Sequence, residues 1–194
     1  MGHDRAVDAP RALAEARAAL AAAAGRLAAA GATPEVLAST VPAHRALGLI
    51  PRRESFRRIG EGFVLGALLV TASGDAYAPG RVARASRQVL PGHQSESARA
   101  RRELRQRLLD ARLPEGSTVV IDPRPLPIDN LTAMAAEHGP LVVSENGGET
   151  RVLVRWIPSA PDAALRPLDA YLAERLDLAL AALTAARAES EHRR

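Results

Sequence analysis

Alanine, leucine, arginine and glutamate occupy almost every position from Asp8 to Ala30. Pro10 is tolerated in a first helical turn, and Gly31 supplies a stop. Leucines and alanines recur on one face at helical spacing, which predicts a long helix. A second helical pattern runs from Pro167 to about Glu189, with leucines and Tyr171 at core spacing. The chain is therefore expected to carry long alanine-rich helices at both ends.

Between these helices the hydrophobic pattern changes to short apolar runs separated by turn-forming residues. Phe63–Thr71 is followed by Ser-Gly-Asp and a short apolar segment, which predicts a β-hairpin. Arg81–Gln88 either continues the second strand or begins a third. Thr118–Asp122 is a short β-branched strand. Two further strands, 141–144 and 151–157, flank an Asn-Gly pair, which is a strong hairpin signal.

The remaining segments are assigned to helices or to a connector. Gln94–Leu113 places its apolar residues in one narrow stripe, which predicts an amphipathic helix capped by Ser95 or Ser97. Thr33–Pro42 combines an N-cap residue with a proline at the first helical position, so a brief helix is expected. Residues 43–61 are irregular and rich in arginine, and they are interpreted as a connector.

The order of elements is helix, hairpin, helix, strand, short helix capped by Asp129, hairpin, helix. Adjacent strands joined by tight turns cannot be parallel. This pattern predicts an α+β fold, with an antiparallel or mixed sheet of about five strands and helices packed on one face. Residues 1–42 are expected to form an N-terminal alanine-rich helical segment, and residues 43–194 an α+β domain, together one structural unit.

Composition excludes several kinds of chemistry. The 194 residues include no cysteine, and all 26 basic residues are arginine, so the chain is also free of lysine. Disulfides, thiolate metal sites, cysteine nucleophiles and Schiff bases are therefore excluded. The five histidines show no i,i+3 or i,i+4 spacing and no His-Glu-x-x-His, so neither a metal nor a cofactor is expected.

Charge and hydropathy limit the compartment and the partners. The net charge is only +4, because 22 acidic residues are spread among the arginines, which is unlike a dedicated nucleic-acid binder. No apolar stretch is long enough to span a membrane. Glu15 and Arg17 interrupt the alanine-rich first segment, so it is not expected to be a secretory signal. A cytoplasmic protein is expected.

Two groups of residues are the candidate sites for anion or nucleic-acid binding. Guanidinium groups bind phosphate and carboxylate through paired hydrogen bonds, and an aromatic ring can stack on a base. The first group is Arg52, Arg53, Phe56, Arg57 and Arg58, and the second is Arg99, Arg102 and Arg105. The alternative is a solvated surface, which intrahelical pairs such as Glu103 with Arg107 favour.

Four segments also carry a resemblance to known proteins. Leu-Gly-Ala-Leu-Leu-Val at 65–70, Tyr-Ala-Pro-Gly at 77–80, the arginine-rich helix at 95–109 and the segment 166–176 together resemble small proteins of high-GC actinobacteria. Some of those proteins carry the label glutaminase, which implies hydrolysis of glutamine to glutamate and ammonia. Serine-dependent glutaminases rely on Ser-x-x-Lys and the amidotransferase type on a cysteine, and this chain has neither lysine nor cysteine. The resemblance supplies no catalytic residue.

Three functional hypotheses follow from these observations. The leading one is a non-catalytic protein that binds a protein partner or an anionic ligand through an arginine-rich surface, with residues 52–58 as the preferred segment. The second is a small amide hydrolase that assembles serine, histidine and carboxylate groups. The third is a homodimer formed through the alanine-rich helices, because small residues permit close helix approach. Nucleic acid is a less favoured ligand.

Overall fold

The computed structural model describes residues 5–46, 50–87, 95–136, 139–146 and 149–193. The α-helices of this part are α1 (Arg5–Ala29), α2 (Glu96–Asp110), α3 (Leu131–Ala136) and α4 (Leu168–His192). The strands are β1 (Glu35–Val41), β2 (His44–Ala46), β3 (Ile50–Arg52), β4 (Ser55–Leu65), β5 (Leu68–Val70), β6 (Ala76–Ala78), β7 (Arg81–Arg84), β8 (Thr118–Ile121), β9 (Arg124–Pro125), β10 (Leu141–Asn146), β11 (Glu149–Val154) and β12 (Arg166–Pro167).

The described strands form three sheets. The largest has seven strands in the order β7-β8-β1-β4-β5-β6-β9, and it is mixed because β1 and β8 run parallel. A second sheet contains β10, β11 and β12, and β2 pairs with β3 alone. The α+β class and the long terminal helices are confirmed, whereas the main sheet is larger than the expected five strands. Within this described part, no helix has the length and apolar character needed to cross a membrane.

The chain divides into two compact units, and each is discontinuous in sequence. Unit 1 comprises Met1–Pro34, Gly62–Ala78 and Arg124–Arg194, and unit 2 comprises Glu35–Glu61 and Pro79–Pro123. This division differs from the expected boundary after residue 42. The physical reason is that β1 hydrogen-bonds to β8, which places the segment after Pro34 with a strand far along the chain.

Unit 1 is built around the two long helices. Apolar side chains of α1 and α4 pack with the β4–β5 hairpin and with β10 and β11 in one hydrophobic core. Leu20 and Tyr171 are among its most buried members. Strand β10 pairs with β11 from Leu141 opposite Val154 to Asn146 opposite Glu149, which confirms the second predicted hairpin.

Unit 2 joins β7, β8 and β1 to one amphipathic helix. Strand β8 pairs in parallel with β1, and β7 pairs antiparallel with β8, from Arg81 opposite Ile121 to Arg84 opposite Thr118. Helix α2 covers these strands with Leu104 and Leu108, which join Phe56 and neighbouring apolar residues in a separate core. Helix α2 is therefore attached by its apolar stripe, and its other faces carry the arginines.

Two segments that were not predicted as strands contain strands in the structure. Thr33–Pro42 was assigned to a helix on its capping residues, but β1 occupies this segment and buries Val36, Leu37 and Ala38. Pairing with β8 and burial of these side chains outweigh the local helix-start signals. Residues 43–61, assigned to a connector, contain β2, β3 and the first part of β4. The predicted strand Phe63–Thr71 is also divided, by a turn between β4 and β5.

Polar side chains define the beginnings of two helices. Ser95 accepts a hydrogen bond at its Oγ from the N–H of Ala98, at 3.4 Å, which confirms it as the cap of α2. For α3 the cap is Asn130, whose Oδ1 accepts from the N–H of Ala133 at 3.0 Å. Asp129, the expected cap, instead forms an ion pair with Arg17 at 2.7 Å. Asn and Asp are equally good caps, so sequence preference alone did not separate these neighbours.

Candidate anion-binding cleft

Within the first predicted arginine group, the described side chains of Arg57 and Arg58 do not share one surface. Arg52 is the last residue of β3, and its side chain is outside the part of the chain that the structure describes. Arg53, Arg57 and Arg58 are exposed, but Arg57 and Arg58 are consecutive in β4, so their side chains point to opposite faces of the sheet. Arg58 is also paired with Glu61 at 2.6 Å. These guanidinium groups are thus divided between surfaces.

Phe56 is a core residue of unit 2 and not an exposed stacking platform. Only 5% of it is exposed, and it packs with the apolar residues beneath α2. The guanidinium of Arg107 lies over its ring, 5.6 Å from the ring centre, and donates to Glu54 at 2.6 Å. The ring therefore orients Arg107 through a cation–π contact and is not available to a base.

The second predicted group is divided between different faces of helix α2. Arg99 and Arg102 are exposed and lie outside a cleft that runs between β7 and α2. Arg105 lines that cleft together with Arg101, one turn before it. Since residues three to four apart share a helix face, the row from Arg101 to Arg105 follows one side of α2.

A cleft of about 600 Å³ lies between β7 and α2 in unit 2. Its basic lining residues are Arg81, Arg84, Arg101, Arg105 and Arg107. The other lining residues are Val82, Ala83, Ala100, Leu104 and Thr118. Five of the ten described lining residues are therefore cationic, and the same set contains no carboxylate. The cleft combines an apolar part with a concentrated positive charge.

Two of the cleft arginines are oriented through one nitrogen each. Arg84 donates from Nε to the carbonyl of Gly116 at 3.2 Å, and Arg101 donates from Nε to the carbonyl of Ser97 at 3.2 Å. Both bonds fix the side chain without neutralising its charge. Within the described residues, the terminal nitrogens of these two guanidiniums are the donors that remain for a ligand.

Four of the five cleft arginines, Arg81, Arg84, Arg101 and Arg107, were not among the predicted site residues. Arg81 and Arg84 are separated from α2 by more than ten positions, and only the packing of β7 beside α2 brings them close. The available signal was the spacing in Arg-Val-Ala-Arg, which places two arginines on a short strand next to an arginine-rich amphipathic helix. A search for contiguous basic runs does not detect that arrangement.

Asp122, directly after β8, binds the end of β1 through Thr40. Its Oδ2 accepts from the Thr40 hydroxyl at 2.6 Å, and its Oδ1 accepts from the Thr40 N–H at 2.7 Å. These bonds lower the pKa of Asp122 below its ordinary value, and the charge of Arg81 lowers it slightly further. The residue adopts a φ of 52°, a left-handed conformation that Asp tolerates better than most residues.

The lowered pKa of Asp122 predicts a component of acid sensitivity. Because the folded state favours the carboxylate, the stabilisation is present above the unfolded pKa and is lost as pH falls through the folded pKa. Asp122→Asn removes this titration, so its stability should fall less steeply than that of the parent below about pH 4. Urea unfolding midpoints of both proteins across the acid range measure the difference. If the urea midpoints of the two proteins fell equally with pH, the Asp122 carboxylate would not contribute to acid sensitivity.

The comparisons with known proteins give no relative for this chain. No protein-family model matches it, and neither a curated protein nor a solved structure matches it. The resemblance to small actinobacterial proteins, and the glutaminase activity that it implies, therefore stay predictions. The evidence on function is the chemistry of the cleft itself, in which five guanidinium groups surround a partly apolar surface.

Proposed function

We propose that the chain is a cytoplasmic, non-catalytic binding protein that recognises an acidic partner through the arginine-lined cleft of unit 2. The observation that carries the proposal is the composition of the lining, with five arginines and, among the described lining residues, no carboxylate. Guanidinium groups stay charged at every physiological pH and pair with carboxylate or phosphate in a forked geometry. Arg107 already pairs with Glu54 at 2.6 Å, so an acidic partner is expected to pair mainly with the terminal nitrogens of Arg84 and Arg101.

The apolar part of the lining narrows the class of ligand. Val82 is 56% exposed, and it lines the same cleft as Ala100 and Leu104. An inorganic anion would leave this apolar surface in contact with water. A partner that carries both carboxylates and apolar side chains covers the arginines and the apolar residues together, and gains burial energy as well as charge pairing.

A protein partner is favoured over a nucleic acid. Single-stranded nucleic acid is held by aromatic side chains on which bases stack, in addition to basic residues. The described lining of the cleft contains no aromatic residue, and the ring of Phe56 lies in the core. Carboxylates of an acidic protein segment need only the guanidinium donors that the cleft supplies.

Removing two cleft charges should weaken binding of an acidic peptide. In Arg84→Gln/Arg101→Gln, both side chains stay polar but become shorter and lose their charge, so affinity for a fluorescein-labelled peptide of alternating glutamate and valine should fall about tenfold. Fluorescence anisotropy at low salt measures the dissociation constant. The parent's affinity should also decrease as salt is added.

The matched control is Arg99→Gln/Arg102→Gln, which removes the same amount of charge from exposed positions of α2 outside the cleft. Its affinity should stay within about threefold of the parent, because exposed charges outside the contact act only at long range. An equal loss in both variants would show a response to net charge and overturn the assignment of the cleft. Failure of the parent to bind the peptide would overturn the proposed function itself.

A further inference from the structure

We propose that the acidic partner segment binds as an added β-strand along the edge of β7 that has no partner among the described strands, with its carboxylates paired to the cleft arginines. The inference rests on the proposed function and specifies how the partner is held. Main-chain hydrogen bonds to an exposed sheet edge supply affinity in this mode, and side chains on the added strand supply specificity. The occupant is an extended segment of another protein with alternating acidic and apolar residues.

The position of β7 in the sheet provides the edge. In the seven-stranded sheet β7 is the terminal strand, and among the described strands its partner is β8 alone. Strand β7 has four residues, from Arg81 to Arg84, and the cleft runs beside all four of them. A strand added here is therefore in contact with both β7 and α2.

The hydrogen bonds after β7 show which of its backbone groups face outward. The N–H of Ala85 donates to the carbonyl of Ser117 at 2.9 Å, and its C=O accepts from the N–H of Gly116 at 2.6 Å. Ala85 is thus directed toward the β8 side. Because backbone groups of an antiparallel strand alternate in direction, Val82 and Arg84 direct their N–H and C=O groups toward the open edge.

The arginines around β7 are more numerous than is needed to protect its edge from unwanted strand pairing. Charged side chains on an edge strand commonly prevent unwanted strand pairing, and Arg81 and Arg84 would be sufficient for that purpose. Protection does not require the second row of guanidiniums, Arg101 and Arg105, on the opposite wall of the cleft. Protection is also poorly served by Val82, a β-branched residue 56% exposed in the middle of the edge. Both features are complementary to an acidic, partly apolar strand.

The test compares two peptides that differ in which backbone N–H groups they retain. Both are alternating glutamate and valine chains of about eight residues, since four residues of β7 extend over roughly 13 Å. One is N-methylated at every valine and the other at every glutamate. In an extended strand, one of these two sets of N–H groups faces β7 and the other faces away.

Strand addition predicts an asymmetric result. Affinity for one N-methylated peptide should fall tenfold or more, about 1.4 kcal/mol or more, relative to the parent peptide, which is the same sequence without N-methyl groups. Affinity for the other N-methylated peptide should stay within about threefold of the parent peptide. Amide hydrogen exchange should also slow at Val82 and Arg84 when the parent peptide is bound. Binding of both modified peptides as tightly as the parent, or an equal loss in both, would overturn strand addition while leaving anion recognition by the cleft in place.

Two other outcomes separate this inference from the proposed function. If the parent peptide does not bind at all, the proposed function fails together with the strand model. If a single-stranded oligonucleotide of matched charge binds more tightly than the parent peptide and displaces it, the ligand is a nucleic acid and the strand model is overturned. Arg84→Gln/Arg101→Gln provides the reference for binding at the cleft in each titration.

Discussion

Replacing Gly66 with alanine is expected to lower the free energy of unfolding by about 3 kcal/mol. Gly66 lies in the turn between β4 and β5 with a φ of 65°, which is unfavourable for a residue that has a Cβ. A Cβ at this position would also collide with the hydroxyl oxygen of Tyr171. The substitution therefore combines backbone strain with a steric clash inside unit 1.

The hydroxyl of Tyr171 has no alternative position that keeps its hydrogen bonds. It donates to the carbonyl of Leu65 at 3.0 Å and accepts from the N–H of Ala67 at 2.8 Å, and Tyr171 is 1% exposed. These bonds attach α4 to the β4–β5 turn. Movement of the ring would remove the partner of the buried Leu65 carbonyl, at a cost of about 1–3 kcal/mol, and of the half-buried Ala67 N–H.

A double-mutant cycle distinguishes the clash from the strain. Tyr171→Phe removes the hydroxyl that the new Cβ would meet, so Gly66→Ala should cost less in that background than in the parent, and the two effects should not add. Urea unfolding of the four proteins measures the coupling.

Gly25→Ala is the control, because its Cβ would meet nothing within 4 Å inside α1. That change should stabilise the protein by about 0.5–1 kcal/mol. Equal effects at Gly66 and Gly25 would contradict the argument.

Local sequence signals were sufficient for the elements whose stability is local. Helices α1, α2 and α4 follow from hydrophobic spacing and capping residues, and the β10–β11 hairpin follows from alternation and its Asn-Gly pair. Strand β1 was not predicted because its stability comes from parallel pairing with β8, about eighty positions away in the register Val36 to Val119. No signal within Thr33–Pro42 identifies that partner.

The candidate site was predictable only in part, because its arginines come from elements that are distant in sequence. Arg105 was selected from the amphipathic pattern of α2, and it does line the cleft. Arg81 and Arg84 belong to a different element, and no basic run connects them to α2. Within the dense segment at 52–58, alternation along β4 separates Arg57 from Arg58, and burial removes Phe56 from the surface. Charge density along a chain does not establish charge density on a surface.

Alanine at Gly80 is expected to destabilise unit 2 by about 3 kcal/mol and to weaken peptide binding at the cleft. Gly80 immediately precedes β7, and a Cβ there would collide with the carbonyl oxygen of Ile121 and lie 2.7 Å from that of Asp122. Both obstacles are backbone atoms, so no side-chain rotation relieves the clash. The N–H of Asp122 is bonded to the carbonyl of Ala38 at 2.8 Å, which prevents this segment from moving away.

The strain at Gly80 must therefore separate β7 from β8, and β7 supplies four of the ten described residues that line the cleft. Gly60→Ala is the matched control in the same unit, because the atom nearest to its Cβ would be a methyl carbon of Leu37 at 4.0 Å, an ordinary contact. Urea unfolding and peptide anisotropy, measured on both variants, should show large losses at Gly80 and little change at Gly60. A Gly80→Ala protein that matches the Gly60 control in stability would show that β7 is not held against β8 at this point. Loss of stability with unchanged peptide affinity would separate the binding surface from β7.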